Sequence, residues 1–155
     1  RGLGDVYKRQ HRGYVVDMTR MFVAGSLSET WLSRLEDMIA VKEEVVDTLD
    51  QGLDCSEAWR RGHALASELG HAENLMGMAP DQSRFLGHSG GLQLDESPVV
   101  AEGFDRRLPI GGTMAIEPKV VHTDGSIGSE DTWVKGEDGM KPVTADGAIP
   151  WVTEW

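Results

Sequence analysis

Residues 86–98, LGHSGGLQLDESP, decide how the rest of the chain is read. His88 lies between Gly87 and the small residues Ser89, Gly90 and Gly91. Small residues on both sides of a histidine let backbone and ligand approach closely. Leu92-Gln93-Leu94-Asp95 alternates apolar and polar residues, which predicts a strand, and Glu96 and Pro98 follow. A GHxGG run alone is a weak signal. Three other places give it weight: Asp17 in GYVVDMTR, Glu117 in AIEP and Glu130 in GSEDT. One histidine and three carboxylates on short strand-like segments make an oxygen-rich donor set suited to hard or borderline divalent cations.

Upstream of this stretch, His11 to Gly25 reads as a strand, with Tyr14, Val15, Val16, Met18, Phe22 and Val23 bounded by glycines. Asp17 inside it costs desolvation unless paired or bound to metal; the alternative is an outward-facing aspartate. Ser26-Leu27-Ser28-Glu29 fits the Ser-x-x-Glu capping pattern and predicts a helix to about Leu49. Trp31, Leu32, Leu35, Met38, Ile39, Val45, Val46 and Leu49 form its apolar stripe. Glu36, Lys42, Glu43 and Glu44 are assigned to the solvated face, and Gln51-Gly52 to the helix end. A second helix is predicted over Ser56–Leu69, with Ala58, Gly62, Leu65 and Leu69 on one face and Gly70 as the stop. Cys55, at its entrance, has no matched base and reads as buried or capping. His63 and His71 read as structural or exposed, and Glu73 to Phe85 as a loop.

Downstream, Val99-Val100-Ala101 is apolar and Gly103 to Gly112 is a turn-rich link. Thr113–Val121 reads as a strand carrying Glu117, and Asp124-Gly125 as a turn. Ser126–Lys135 returns as a strand carrying Glu130; after the Glu137-Asp138-Gly139 turn, Val143 starts a last short strand. Two helices followed by antiparallel strands with short turns predict an α+β fold.

A length of 155 residues suits one domain with its own core. Hydrophobic residues make up 39 %, with no run near 18 apolar residues, so no membrane span is predicted. No secretory-signal pattern is read at the start. Cys55 is the single cysteine, which excludes an internal disulfide framework or a cysteine-rich zinc site and fits a reducing, cytoplasmic setting. The net charge of −11 argues against nucleic acid or an anionic membrane as partner. Residues 1–10, RGLGDVYKRQ, have no clear period and are set aside as a non-native leader.

At Asp17, His88, Glu117 and Glu130 the chain resembles the pita-bread metallopeptidase family. Its members include methionine aminopeptidases, Xaa-Pro aminopeptidases, Xaa-Pro dipeptidases and creatinases. The matching segments are GYVVDMTRMF, LGHSGGLQLDESP, GGTMAIEPKVV and GSEDTWV, within about residues 11 to 145. His88 and Glu117 are 29 residues apart, and Glu117 and Glu130 are 13. The resemblance implies part of a pita-bread fold, with helices packed on a curved antiparallel sheet. It implies a dinuclear site of Asp, Asp, His, Glu and Glu, in which Asp17, His88, Glu117 and Glu130 are four of the ligands. Two divalent ions (Mn, Co or Zn) would lower the pKa of a shared water and polarise the scissile carbonyl. Glu117 would also hold that water and shuttle its proton. The implied partner is a peptide substrate of Xaa-Pro type, with no nucleic acid and no membrane; a homodimer stays open.

Three departures stand out. The family's first aspartate lies eleven residues before its second, a position held here by Val6; Asp5 is one residue further, and a one-residue slip turns a strand side chain to the other face. Asp95 stands where many Xaa-Pro enzymes have a histidine. At neutral pH an aspartate only accepts hydrogen bonds, yet a subset of the family shares LDE, so Asp95 is kept beside Glu117 as a catalytic candidate. Gly128 stands where many relatives have an arginine. The chain is also shorter than a whole catalytic domain, and residues 11–155 are expected to be its C-terminal part. The expectation is Xaa-Pro peptide hydrolysis, of aminopeptidase P or prolidase type, in a full-length parent, with the fragment itself inactive. The alternatives are a creatinase-like hydrolase or lyase, or a non-catalytic peptide- or partner-binding module.

Overall fold

In a computed structural model of the chain, residues 10–23, 25–144 and 152–154 are described. Asp5 and Val6 lie outside them. The first helix, α1 (Glu29–Asp50), begins two residues later than the Ser26-x-x-Glu29 pattern implies, because Ser28 and not Ser26 is the cap, its hydroxyl accepting from the Trp31 N–H. The second, α2 (Cys55–Glu68), begins one residue earlier than expected because Asp54 accepts from the Glu57 N–H at 2.8 Å. Such caps satisfy amides that the first turn leaves unpaired, worth about 1 kcal/mol each.

Lys42 is not on a solvated face. It is buried, and its ammonium meets Asp131 at 2.9 Å. The reason is positional: Leu35, Met38, Lys42, Val45 and Leu49 recur at steps of three and four, so Lys42 lies on the apolar stripe itself. Leu69 departs in the opposite sense, being 38 % exposed as the cap at the end of α2.

The strands are shorter and more broken than the apolar runs predict. His11–Gly25 divides into β1 (Gln10–His11), β2 (Tyr14–Val15) and β3 (Met21–Val23), with Asp17 in irregular backbone. Leu92–Asp95 is not a strand. Its backbone bends, with the Gln93 N–H donating to the Glu96 carboxylate at 2.7 Å, and pairing resumes only at Glu96. The sheet consists of β4 (Phe85–Ser89), β5 (Glu96–Ala101), β6 (Thr113–Ile116), β9 (Asp131–Gly136) and β10 (Gly139–Pro142). Their order is β10-β9-β6-β4-β5, with every neighbouring pair antiparallel. A separate ribbon pairs β7 (Lys119–His122) with β8 (Gly125–Gly128), and β11 (Val152–Glu154) runs parallel to β3. Val143 does not open a strand; it follows β10, and its N–H donates to the Thr132 carbonyl.

Both long strands of the predicted hairpin are interrupted, at Glu117-Pro118 and at Ser129-Glu130. The register is the same on either side: Ile116 pairs with Asp131 before the gap and Lys119 with Gly128 after it. Glu117 therefore stands opposite Glu130. The ladder opens here because proline has no N–H to give, and because Glu130 forms a bridge to Thr19 instead.

The core lies between the helices and the sheet. Met38, Val45, Leu49, Leu86, Met114 and Ile116 are fully buried there, and each side chain contributes about 1.5–3 kcal/mol of hydrophobic stabilisation. No helix among the described residues is long and apolar enough to cross a membrane.

Candidate metal centre

Strand alternation divides the sheet into two chemical faces. His88 pairs with Ala115, and Ala115 with Thr132, so these three form a row across β4, β6 and β9. Glu117 is two residues on from Ala115, and Glu130 two before Thr132, which puts both glutamates on that same face. The side chains one residue out of phase, Met114, Ile116 and Asp131, are fully buried with the core. The neighbouring acids Glu130 and Asp131 thus belong to different environments.

Thr132 brings Asp17 to the site. Its hydroxyl accepts from the Asp17 N–H at 2.9 Å and donates to the Asp17 carbonyl at 2.8 Å. The Thr19 hydroxyl donates to Glu130 Oε2. Among the described residues, Asp17, His88 and Glu130 each offer one ligand atom, all within 4.8 Å of one another. His88 and Glu130 are buried and Asp17 is half-buried. Glu117 joins from across the gap, its Oε1 3.5 Å from His88 Nε2. Close carboxylates directly opposite one another destabilise a strand pair, and a cation between them removes that cost. The donor set fits a divalent ion on chemistry as well as on geometry.

The histidine is oriented from behind. His88 Nδ1 lies 3.1 Å from the Ser89 carbonyl and 3.2 Å from Asp95 Oδ1. With the proton on Nδ1, that side of the ring has two acceptors to meet it, and Nε2 is then available as a ligand to a cation. Asp95 is 72 % exposed and comes from the bend, not from the strand that carries His88. The glycines beside the histidine serve close packing: a Cβ on Gly87 would collide with the Ala115 carbonyl, and one on Gly90 would lie 2.8 Å from the Leu94 carbonyl.

Behind the site is a buried ion cluster that sequence reading missed. Asp131 receives Arg20 Nη2 and Lys42 Nζ, each at 2.9 Å, and the Thr144 hydroxyl at 2.9 Å. Arg20 Nη1 also donates to the carbonyls of Thr19 and Glu130, at 2.9 and 3.0 Å. One guanidinium therefore ties the Asp17 segment to the Glu130 segment. Burial holds the Lys42 ammonium below its ordinary pKa, and the Asp131 carboxylate opposes that shift. The stripe position of Lys42 and the Glu-Asp pair on alternating faces were the available signals. Lys119 was also missed; its ammonium meets Glu117 Oε2 at 3.1 Å. A cavity of about 100 Å³ opens beside Glu117, Glu130, Thr19 and Lys119.

The remaining candidates are structural. Cys55 is fully buried, and its thiol is pushed up to about 11, by burial first and by Asp54 second. His71 is buried and bonds Asp37 at 2.8 Å, while His63 stacks on Trp59.

Comparison with known proteins identifies the family. The profile of metallopeptidase family M24 matches residues 5–137. This chain belongs to family M24. An Xaa-Pro dipeptidase of Pyrococcus horikoshii is 28 % identical to the M24 chain over 143 residues, which cover 92 % of this chain and 38 % of that protein. An X-Pro aminopeptidase from Thermotoga maritima has the same fold, with a TM-score of 0.83 at 20 % identity, over 96 % of this chain and 40 % of that one. A dipeptidase structure from Pyrococcus horikoshii gives a TM-score of 0.82 at 25 % identity, again over 96 % of this chain and 40 % of that one. The fold is thus α+β and pita-bread in kind, and the M24 chain spans less than half the length of these relatives.

Proposed function

We propose that this chain carries the metal centre of an Xaa-Pro exopeptidase, of aminopeptidase P or prolidase type, that acts on peptides in the cytoplasm. The observation that carries the reading is the convergence of Asp17, His88 and Glu130 within 4.8 Å, with Glu117 opposite Glu130. The relatives named above support peptide as the substrate class.

Asp17, His88, Glu117 and Glu130 are the residues that would hold divalent ions, with Mn, Co and Zn all compatible with mixed carboxylate and imidazole donors. When bound, such ions supply Lewis-acid activation of a water and of the scissile carbonyl. The chain's own part follows from its geometry. Glu117, half-buried with Oε1 toward His88, takes the proton of the attacking water and returns it to the leaving nitrogen. Asp95 is a positioning residue that holds the His88 ring through Nδ1. A second ion in the parent draws on a further aspartate, either Asp5 or one in sequence outside these 155 residues. On this reading the fragment alone is inactive, and the rest of the cleft is supplied by the parent.

The test is elemental analysis and an Xaa-Pro dipeptide panel on the full-length parent, beside elemental analysis of this chain. Bound Mn, Co or Zn with turnover on the parent is expected, and a metal-free, inactive parent overturns the reading. A second reading, a non-catalytic peptide-binding module, is favoured by Val6 at the first aspartate position; peptide binding without turnover by a metal-free parent would establish it.

A further inference from the structure

The far end of the β7–β8 ribbon is docked on α1 through one ring. Trp31 meets His122 edge-on, with centroids 5.8 Å apart and planes at 84°. It also covers Gly125, the residue that pairs with His122 across the ribbon, so closely that a Cβ there would lie 3.3 Å from the indole. The two arms of the ribbon are held differently. β7 is bonded along its outer edge: the Met76 N–H donates to the Lys119 carbonyl at 2.8 Å, and the Val121 N–H to the Asn74 carbonyl at 2.9 Å. Among the described residues β8 makes no backbone hydrogen bond outside the ribbon. It relies on side-chain packing, of Ile127 in the core and of Trp31 over Gly125.

We propose that His122 is a pH-operated latch: neutral, it keeps the ribbon tip on Trp31; protonated, it releases the tip and with it the β8 arm that leads to Glu130.

The reason is where the charge would go. His122 Nε2 is buried and meets no hydrogen-bond partner among the described residues. A neutral ring bears that at modest cost, whereas an imidazolium would bury a charged N–H with nothing to accept from it. The groups around it give little relief. From α1, Arg34 lies over the Trp31 ring, 4.4 Å from its centroid, so the indole that could attract a cation already carries one. His71, after α2, opposes a charge on His122, and the nearby Asp37 is engaged by His71 at 2.8 Å. Asp124, on the exposed tip, acts the other way. Burial first and Arg34 second hold the His122 imidazole below its ordinary 6.5. The latched form therefore binds fewer protons than the released form, and lowering the pH through the histidine range favours release. The latch does not depend on which ion the metal centre holds or on the function proposed above.

Amide hydrogen exchange, expressed as protection factors, tests this on the 155-residue chain at about pH 7.5 and about pH 5. The β8 amides are expected to lose protection severalfold at the lower pH. The Val121 amide, bonded to Asn74, and the amides of α2 are expected to keep theirs. His122→Phe keeps an aromatic edge against Trp31 with no proton to take up, and His122→Gln serves if that variant does not fold. Either should hold β8 protection level between the two pH values, while His71→Gln should leave the wild-type loss in place. Level β8 protection in the wild type, or a loss that persists in the His122 variants, overturns the proposal. A loss that vanishes in His71→Gln overturns it by assigning the switch to His71, and equal losses across α1, α2 and β8 overturn it by showing general unfolding.

Discussion

Charges on the two sides of the sheet are managed in opposite ways. On the helical side, Asp131 is fully buried and shared by Arg20 and Lys42, whose side chains are 6 % and 5 % exposed. On the open side, Glu117 pairs with the half-exposed Lys119, and His88 with the exposed Asp95. Removing one partner from a buried ion cluster leaves an uncompensated charge and costs about 3–5 kcal/mol. Exposed pairs contribute about 0–1 kcal/mol. The buried set fixes geometry, while the open set can change partners at little cost. That division is what a site needs if its charges are to respond to a ligand while its frame stays still.

The contrast can be tested in order of expected size. Asp131→Ala should destabilise the chain by about 3–5 kcal/mol, read as the shift in urea unfolding; a loss below 1 kcal/mol would mean that the buried cluster is not a frame. A second effect comes from pH alone. The Cys55 thiol titrates at about 11 in the folded chain, above its ordinary 9.0. As pH rises through that window the unfolded chain loses the proton first, so stability falls by about 1.4 kcal/mol per unit. Unfolding midpoints from pH 9 to 11 should therefore drop more steeply in the wild type than in Cys55→Ala, and equal slopes would refute the burial effect. Third, Glu130→Gln should lower Mn²⁺ affinity at least tenfold by calorimetry, while stability changes by about 1 kcal/mol. The smallest effect is expected at Asp95→Asn: stability within about 0.5 kcal/mol, and Mn²⁺ affinity lower by only a few fold because the carboxylate is exposed. A loss as large as that of Glu130→Gln would make Asp95 part of the frame.

Much of this could be read from the chain before any coordinates. Both helices are legible to within two residues, because a serine cap, the apolar stripe and the glycine stops act locally. The α+β class followed from the order of elements. The four candidate ligands are legible from residue type and from the resemblance of their segments, and the structure brings Asp17, His88 and Glu130 within 4.8 Å of one another with Glu117 opposite Glu130. What escaped depended on long-range contacts. Lys42 looked solvated because charge was read by residue type and not by its place on the stripe. Leu92–Asp95 alternates like a strand, yet Glu96 takes up the Gln93 amide and bends it. Of the two breaks in the hairpin, the one at Glu117 carries a local signal in Pro118, whereas the one at Glu130 depends on its partner Thr19, far away in sequence. Lys119 was passed over because a lysine near the end of a predicted strand looks like solvent-facing polarity.

The unbroken register across that gap makes the ribbon beyond it a ruler. Glu117 and Glu130 are equally far from the two-residue tip, Thr123-Asp124, between His122 and Gly125. Adding one residue at the tip would shift one arm against the other and move a glutamate off the shared face. Adding one pair to each arm would lengthen the ribbon and leave the acids opposed. Homologous chains should therefore vary in this hairpin by matched steps, and the count at its far end governs whether the two acids meet.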